Sequence, residues 1–195
     1  MSSLRILLVD NRDSFTWNLA HDLGRFGADV EVRQAGEWEV DDVRGADGIV
    51  LSPGPGLPQE SGGLMALIEA WAPHHPMLGV CLGMQALVEW SGGALRPLKA
   101  VRHGMQATAL RVGEDPLLAF LPEQFEVGHY HSWCADLVTL PACWRVTSTS
   151  ASEPSIPLSI CHESLPLHAV QFHPESVLTP EGRQILKAWL DTLRP

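Results

Sequence analysis

The chain has 195 residues, 45% of them hydrophobic and 18% charged, which supplies apolar material for a substantial core and too few charges for a disordered segment. Its 13 Lys and Arg stand against 23 Asp and Glu, a formal net charge of −10 with no basic cluster, so nucleic acid is not an expected partner. No apolar run approaches the roughly 20 residues of a membrane-spanning helix, and the first residues lack the basic, apolar, small order of a secretion signal, so no membrane is expected.

The run LRILLVD at residues 4–10 is continuously apolar and ends in Asp10, the pattern of a buried parallel strand. In the following DNRDSFTWNLAHDLGRFG, Asp13 or Ser14 can cap a helix. Phe15, Leu19, Leu23 and Phe26 recur at helical spacing, and Gly27 stops it. ADVEVR reads as a second strand and DGIVLS as a third, which runs directly into Pro-Gly-Pro-Gly. A helix with Leu64, Leu67, Ile68 and Trp71 on one face follows, then the strand MLGV, then a helix beginning near Leu82. This alternation predicts an α/β fold, a mostly parallel central sheet with helices on both faces.

From about residue 94 to 172 the pattern changes to short strands: ATALRV, FEVGHYH, WRVTSTS, PLSIC and LHAVQF, with Pro and Gly between them. Some are expected to extend the main sheet and others to form a smaller antiparallel one. Thr179-Pro180 reads as the cap and first turn of a last helix, with Ile185, Leu186, Trp189, Leu190 and Leu193 as its buried stripe. No repeat or linker divides the chain, so a single domain over residues 1–195 is expected. Cys81, Cys134, Cys143 and Cys161 form no CxxC pair, which suits a reduced, cytoplasmic chain rather than a disulfide framework.

The first pattern with chemical content is Gly79-Val80-Cys81-Leu82-Gly83. G-x-C-x-G between a strand and a helix has the form of a nucleophile elbow, a tight turn with the reactive side chain at its tip. Side chains two residues before and after that tip would collide, so glycine suits both sites. The sulfur would stand clear of the sheet at a helix N-terminus, where unpaired N–H groups and the dipole favour thiolate. Taken alone, the motif is equally a buried thiol between packing glycines.

A thiolate nucleophile needs a proton carrier, and His173 follows the apolar run Ala169–Phe172. Glu175, two residues on, can reach the same side and orient the imidazole, which gives a carboxylate, imidazole and thiol set. A histidine beside a proline is otherwise a surface turn. The third pattern, Ser52-Pro53-Gly54-Pro55-Gly56, ends another apolar strand, where ligands bind in open parallel sheets. The N–H of Gly54 is unobstructed by a side chain and could complete an oxyanion hole with that of Leu82. Alone, such a sequence is an ordinary turn. It is not a phosphate loop, because neither GxGxxG nor GxxxxGK[ST] occurs. His129 and His131 share one face of an expected strand, but no third ligand stands at suitable spacing, so no metal is expected.

Over nearly the whole chain, ILLVDNRDSFTWNL, LSPGPGLPQESG, GVCLGMQAL, HYHSW and VQFHPESVLT occur in the order and spacing of the class I, triad-type glutamine amidotransferases. The opening DN-DSFT-NL most resembles the glutaminase subunits of anthranilate synthase and aminodeoxychorismate synthase. That resemblance implies a flavodoxin-like amidotransferase fold, Cys81 as nucleophile, His173 as acid and base, and Glu175 as its orienter. It implies Gly54 and Leu82 as oxyanion donors, and L-glutamine held by Gly54, Pro55, Gly56, Gln85 and the backbone of Ser132 and Trp133. Ammonia would pass to a separate chorismate-binding synthase subunit that uses Mg²⁺, with no cofactor in this chain. The sequence departs from the family at Arg12, Met105 and Trp133, where Tyr, Lys and Leu are usual. A γ-glutamyl peptidase of the same architecture, a redox sensor and a non-catalytic regulatory subunit are the competing readings.

Overall fold

The structure, a computed structural model, describes residues 3–194. The alternating half of the sequence forms β1 (Arg5–Asp10), α1 (Thr16–Arg25), β2 (Asp29–Gln34), α2 (Val40–Arg44), β3 (Gly48–Leu51), α3 (Leu64–Trp71), β4 (Met77–Val80) and α4 (Leu82–Trp90). The second half forms β5 (Leu95–Arg111), β6 (Gln124–Ala135), β7 (Trp144–Ser150), β8 (Pro157–His162), β9 (Leu167–Val170) and α5 (Gly182–Thr192). The sheet order is β2-β1-β3-β4-β9-β8-β7-β5-β6. Pairing is parallel from β2 to β9 and antiparallel from β9 to β6. Both kinds of pairing expected from the sequence are present. The antiparallel strands are continuous with the parallel ones, because β8 pairs directly with β9.

The period-two alternation of β1 divides the core into two layers. Ile6 and Leu8 face α1 and α5, where Leu19, Leu23, Ile185, Leu186 and Trp189 close over them. Leu7 and Val9 face the opposite layer, built with Leu64, Leu67 and Ile68 of α3 and Met84, Leu87 and Val88 of α4. Burying such side chains stabilises the fold by roughly 1.5–3 kcal/mol each. Helices therefore cover both faces of the parallel half.

Several local expectations are corrected. Helix α1 starts at Thr16, and neither Asp13 nor Ser14 is its cap residue. Asp13 instead accepts the Phe15 N–H at 2.8 Å, and the Asp10 carboxylate accepts from the Thr16 hydroxyl at 2.7 Å. Phe15 is therefore held outside the helix, away from the Leu19 and Leu23 stripe. The five-residue α2 is too short to leave a periodic signal. Helix α5 begins at Gly182, and Thr179-Pro180 lies in the preceding turn. Thr179 uses its hydroxyl elsewhere, accepting from the Gly128 N–H at 2.9 Å and donating to the His173 carbonyl at 2.7 Å. Gly182 is required by contact: a Cβ there would lie 1.9 Å from the Pro174 carbonyl oxygen. Among the described residues, no helix is long and apolar enough to cross a membrane.

Strand β6 carries His129 and His131 into the interior, and they bond to each other, His129 Nδ1 to His131 Nε2, at 2.9 Å. His131 Nδ1 meets the Trp133 carbonyl at 2.8 Å. Burial keeps both rings neutral. It lowers His129 to about 3, with the neighbouring His131 adding to the effect. It lowers His131 to about 4 despite the opposing bond to Trp133. An unfolded chain takes up these protons near the ordinary 6.5. The stabilisation is thus complete above about 6.5 and is lost as pH falls toward the two folded-state values. Urea midpoints measured from pH 7 to pH 4 are expected to fall with acidification, and more shallowly in His129→Gln than in the parent chain.

Candidate active site

Cys81 sits between β4 and α4 with φ of +52° and ψ of −101°. Only one other non-glycine among the described residues, Arg12, has positive φ. A conformation of this kind costs of order 1–3 kcal/mol and persists because the surroundings over-determine it. The constraints are visible. The Cys81 N–H donates to the Val170 carbonyl at 2.8 Å, and the Cys81 carbonyl accepts from the Gln85 N–H at 3.1 Å. A Cβ on Gly79 would lie 2.7 Å from the Gly83 backbone, and one on Gly83 would lie 2.4 Å from the Leu51 carbonyl oxygen. Both glycines of the motif are therefore dictated by the closeness of the turn. Cys81 keeps 6% of its surface exposed at the first turn of α4.

His173 lies just past the end of β9, beside β4 in the sheet. The register Gly79↔Ala169 and Val80↔Val170 makes both strands end at the same edge, so residues 81 and 173 emerge together. His173 Nδ1 meets Glu175 Oε1 at 2.7 Å, with the two residues 2% and 7% exposed. The backbone is pinned as well: the His173 N–H donates to the Gly128 carbonyl at 3.1 Å, and Thr179 holds the His173 carbonyl. The rings of Tyr130 and Phe15 stand edge-on to the imidazole at centroid distances of 4.9 and 5.3 Å.

Burial opposes a charge on His173, but the Cys81 sulfur and the Glu175 carboxylate outweigh it and raise the imidazole to about 10. The sulfur acts on the ring both as a neighbouring acceptor, the larger of its two effects, and through its charge. The site thus favours the charged form of the imidazole.

The loop after β3 approaches from the other side. A Cβ on Gly54 would lie 2.6 Å from Leu82 Cδ2 and 2.7 Å from Asn11 Cβ, so Gly54 rests directly against the first residue of α4. The Leu82 N–H, first in that helix, has no intrahelical acceptor. Asn11 fixes the loop from β1: its N–H donates to Ser52 Oγ at 2.9 Å and its side-chain amide to the Ser52 carbonyl at 2.8 Å. Gly56 has φ of +74°. Pro55 and Gly56 line, with Asn11 and Arg12, a cavity of about 410 Å³ beside the loop. A cavity of about 710 Å³ around Arg111, Asp115 and Arg145 lies apart and contains none of these groups. Gln85 Nε2 donates to the Trp133 carbonyl at 3.0 Å, and Ser132 is exposed beside it.

The structure thus brings Cys81, Leu82, Gly54, His173, Glu175, Gln85 and Trp133 to one end of the sheet. Pro55 and Ser132 flank this cluster without a direct bond to it. Four contributors escape sequence reasoning: Asn11, Phe15, Gln171 and Thr179. Gln171 left one signal, a single amide within the apolar run Ala169–Phe172. It is fully buried, and its Nε2 lies 3.5 Å from the Cys81 sulfur.

Residues 7–193 match the family model described as Glutamine amidotransferase class-I. Anthranilate synthase component 2 of Azospirillum brasilense is 40% identical over 192 residues, covering 97% of this chain and 96% of that protein. Aminodeoxychorismate synthase component 2 of Klebsiella aerogenes is 40% identical over 188 residues, covering 95% and 99%. Among solved structures, a protein assigned as a GMP synthase subunit from Thermoplasma acidophilum superposes with a TM-score of 0.88 at 24% identity, covering 99% of this chain and 95% of its own. A glutamine amidotransferase from Thermotoga maritima gives a TM-score of 0.75 at 18% identity, covering 99% and 85%. The two structures share the fold, and the sequence matches place the chain in the enzyme family of class I glutamine amidotransferases.

Proposed function

We propose that the chain hydrolyses L-glutamine through a Cys81 thioester and delivers the ammonia to a chorismate-using synthase subunit, for anthranilate or aminodeoxychorismate synthesis. The observation that carries the chemistry is the parallel pairing of β4 with β9, which sets the Cys81 sulfur beside the His173–Glu175 pair. The partner is supported by the names of the relatives, which are component 2 subunits of those two synthases.

In this mechanism Cys81 is the nucleophile, His173 the acid and base, and Glu175 its orienter. The thiolate attacks the side-chain amide carbon of glutamine and forms a C–S bond. Charge grows on the amide oxygen, where the N–H groups of Gly54 and Leu82 meet it. His173 then gives its proton to the leaving nitrogen, the C–N bond breaks, and ammonia departs. Water, losing a proton to the same imidazole, adds to the thioester, and cleavage of the C–S bond releases glutamate and restores the thiolate. An oxyanion donor of this kind lowers the barrier by ~3 kcal/mol. Gln85, the loop at Gly54, Pro55 and Gly56, and the backbone of Ser132 and Trp133 hold the substrate. No step requires a metal in this chain, and Mg²⁺ belongs to the partner.

Two outcomes test this reading. In the complex with the synthase, Cys81→Ser is expected to abolish product formation from glutamine and to leave formation from ammonia intact. Retained glutamine turnover in that variant would falsify the nucleophile assignment. The proton inventory gives the second. The His173 imidazole, followed by NMR, is expected to titrate near 10 in the parent chain. Its midpoint should drop in Cys81→Ala, because a group that favours the charged ring is gone and burial is not. An unchanged midpoint would separate the thiol from the imidazole.

A further inference from the structure

The Trp133 carbonyl is met by two donors, Gln85 Nε2 at 3.0 Å and His131 Nδ1 at 2.8 Å. A carbonyl oxygen can only accept, and this fixes the polarity of everything attached to it. The atom of Gln85 facing Trp133 must be the amide nitrogen. The same nitrogen lies 3.2 Å from Gln171, so the facing Gln171 atom must be its oxygen, Oε1. The remaining Gln171 atom, Nε2, is then a donor, and it is the one directed at Cys81 Sγ. Turning either amide over would set two nitrogens or two oxygens against each other in a buried space. Both amides are packed away from water, at 0% exposure for Gln171 and 3% for Gln85, so solvent cannot rescue the wrong orientation. The Gln171 backbone is held too, its N–H donating to the Leu158 carbonyl at 2.8 Å.

We infer that Gln171 is a functional donor to the Cys81 sulfur, and that the Trp133 carbonyl, through Gln85, is what keeps its N–H pointed there. This deepens the glutaminase reading and rests on it for its role in turnover. The donor stabilises the thiolate and holds the sulfur in one position for attack. Gln85 is a positioning residue: both of its amide protons are committed, one to Trp133 and one to Gln171. A second consequence lies in the chain's direction. The Ser132–Trp133 backbone belongs to the segment proposed to hold glutamine, so a displacement of residue 133 reaches the nucleophile through two amides.

The test needs neither glutamine nor the synthase. The rate of Cys81 alkylation by iodoacetamide is measured against pH in the full chain, with peptide mass spectrometry separating Cys81 from Cys134, Cys143 and Cys161. Gln171→Glu keeps the shape and still accepts from Gln85, but sets an acceptor against the sulfur. Its alkylation midpoint is expected to rise by about one pH unit or more, the scale of a lost hydrogen bond to a charged group. If circular dichroism finds that variant unfolded, Gln171→Met, close in size and without a donor, is read the same way. A midpoint equal to that of the parent chain in the folded variant overturns the donor. Gln85→Leu should also raise the midpoint, by less, and a parent-like profile there overturns the relay. A parent chain that alkylates as expected but never hydrolyses glutamine would defeat the function proposed above and leave this profile standing.

Discussion

The arrangement depends on one rung of the sheet. The hydrogen bond from the Cys81 N–H to the Val170 carbonyl, at 2.8 Å, continues the β4–β9 ladder one residue past the end of β4. It ties the turn that carries the sulfur to the strand that delivers the imidazole. A one-residue slip in this register would send alternate side chains to opposite faces and carry His173 away from Cys81. Closing so long a loop costs little more than closing a short one, because the entropy grows only with the logarithm of length. The fold can therefore interpose five strands' worth of chain between two groups that meet.

Around that rung, several unfavourable features are held together. The backbone at Cys81 is strained, His173 and Glu175 are buried, and two amides and two imidazoles are shut away from water nearby. Each would be costly alone. Many of their polar atoms face one another in sequence, Glu175 to His173, Gln171 to Cys81, Gln85 to Gln171 and Trp133, His131 to Trp133 and His129 to His131, while His129 Nε2, His173 Nε2 and Glu175 Oε2 have no partner. Thr179 and Asn11 do the same for the backbone of the two loops. The polar core runs up to the candidate site and ends at the Cys81 sulfur.

Much of this is readable in the residues. Continuous apolar runs mark β1, β3 and β4, and apolar residues at helical spacing mark α3. The G-x-C-x-G turn, the His-Pro-Glu segment and the Pro-Gly loop each announce a strand end with possible chemistry. What a linear sequence conceals is which strand lies beside which, so it was legible that some later strands extend the main sheet, but not that all of them join it rather than forming a smaller one. The same limit hid Gln171, whose meaning comes from neighbours 86 and 90 positions away in the chain. Phe15 and Thr179 misled for a different reason. Their spacing fits a helix stripe and a helix cap, and tertiary contacts to His173 claimed them instead.

The contact at Gly182 bears on how such a molecule comes into being. With no room for even a methyl group against the Pro174 carbonyl, the entry of α5 and the turn bearing His173 seat as one piece. On a ribosome, the cysteine elbow and its glycine loop emerge before His173 and the helix that braces its turn. A growing polypeptide would hold Cys81 without its neighbour until that helix docks, so the candidate site takes shape only after both ends of the β4–β9 ladder have emerged.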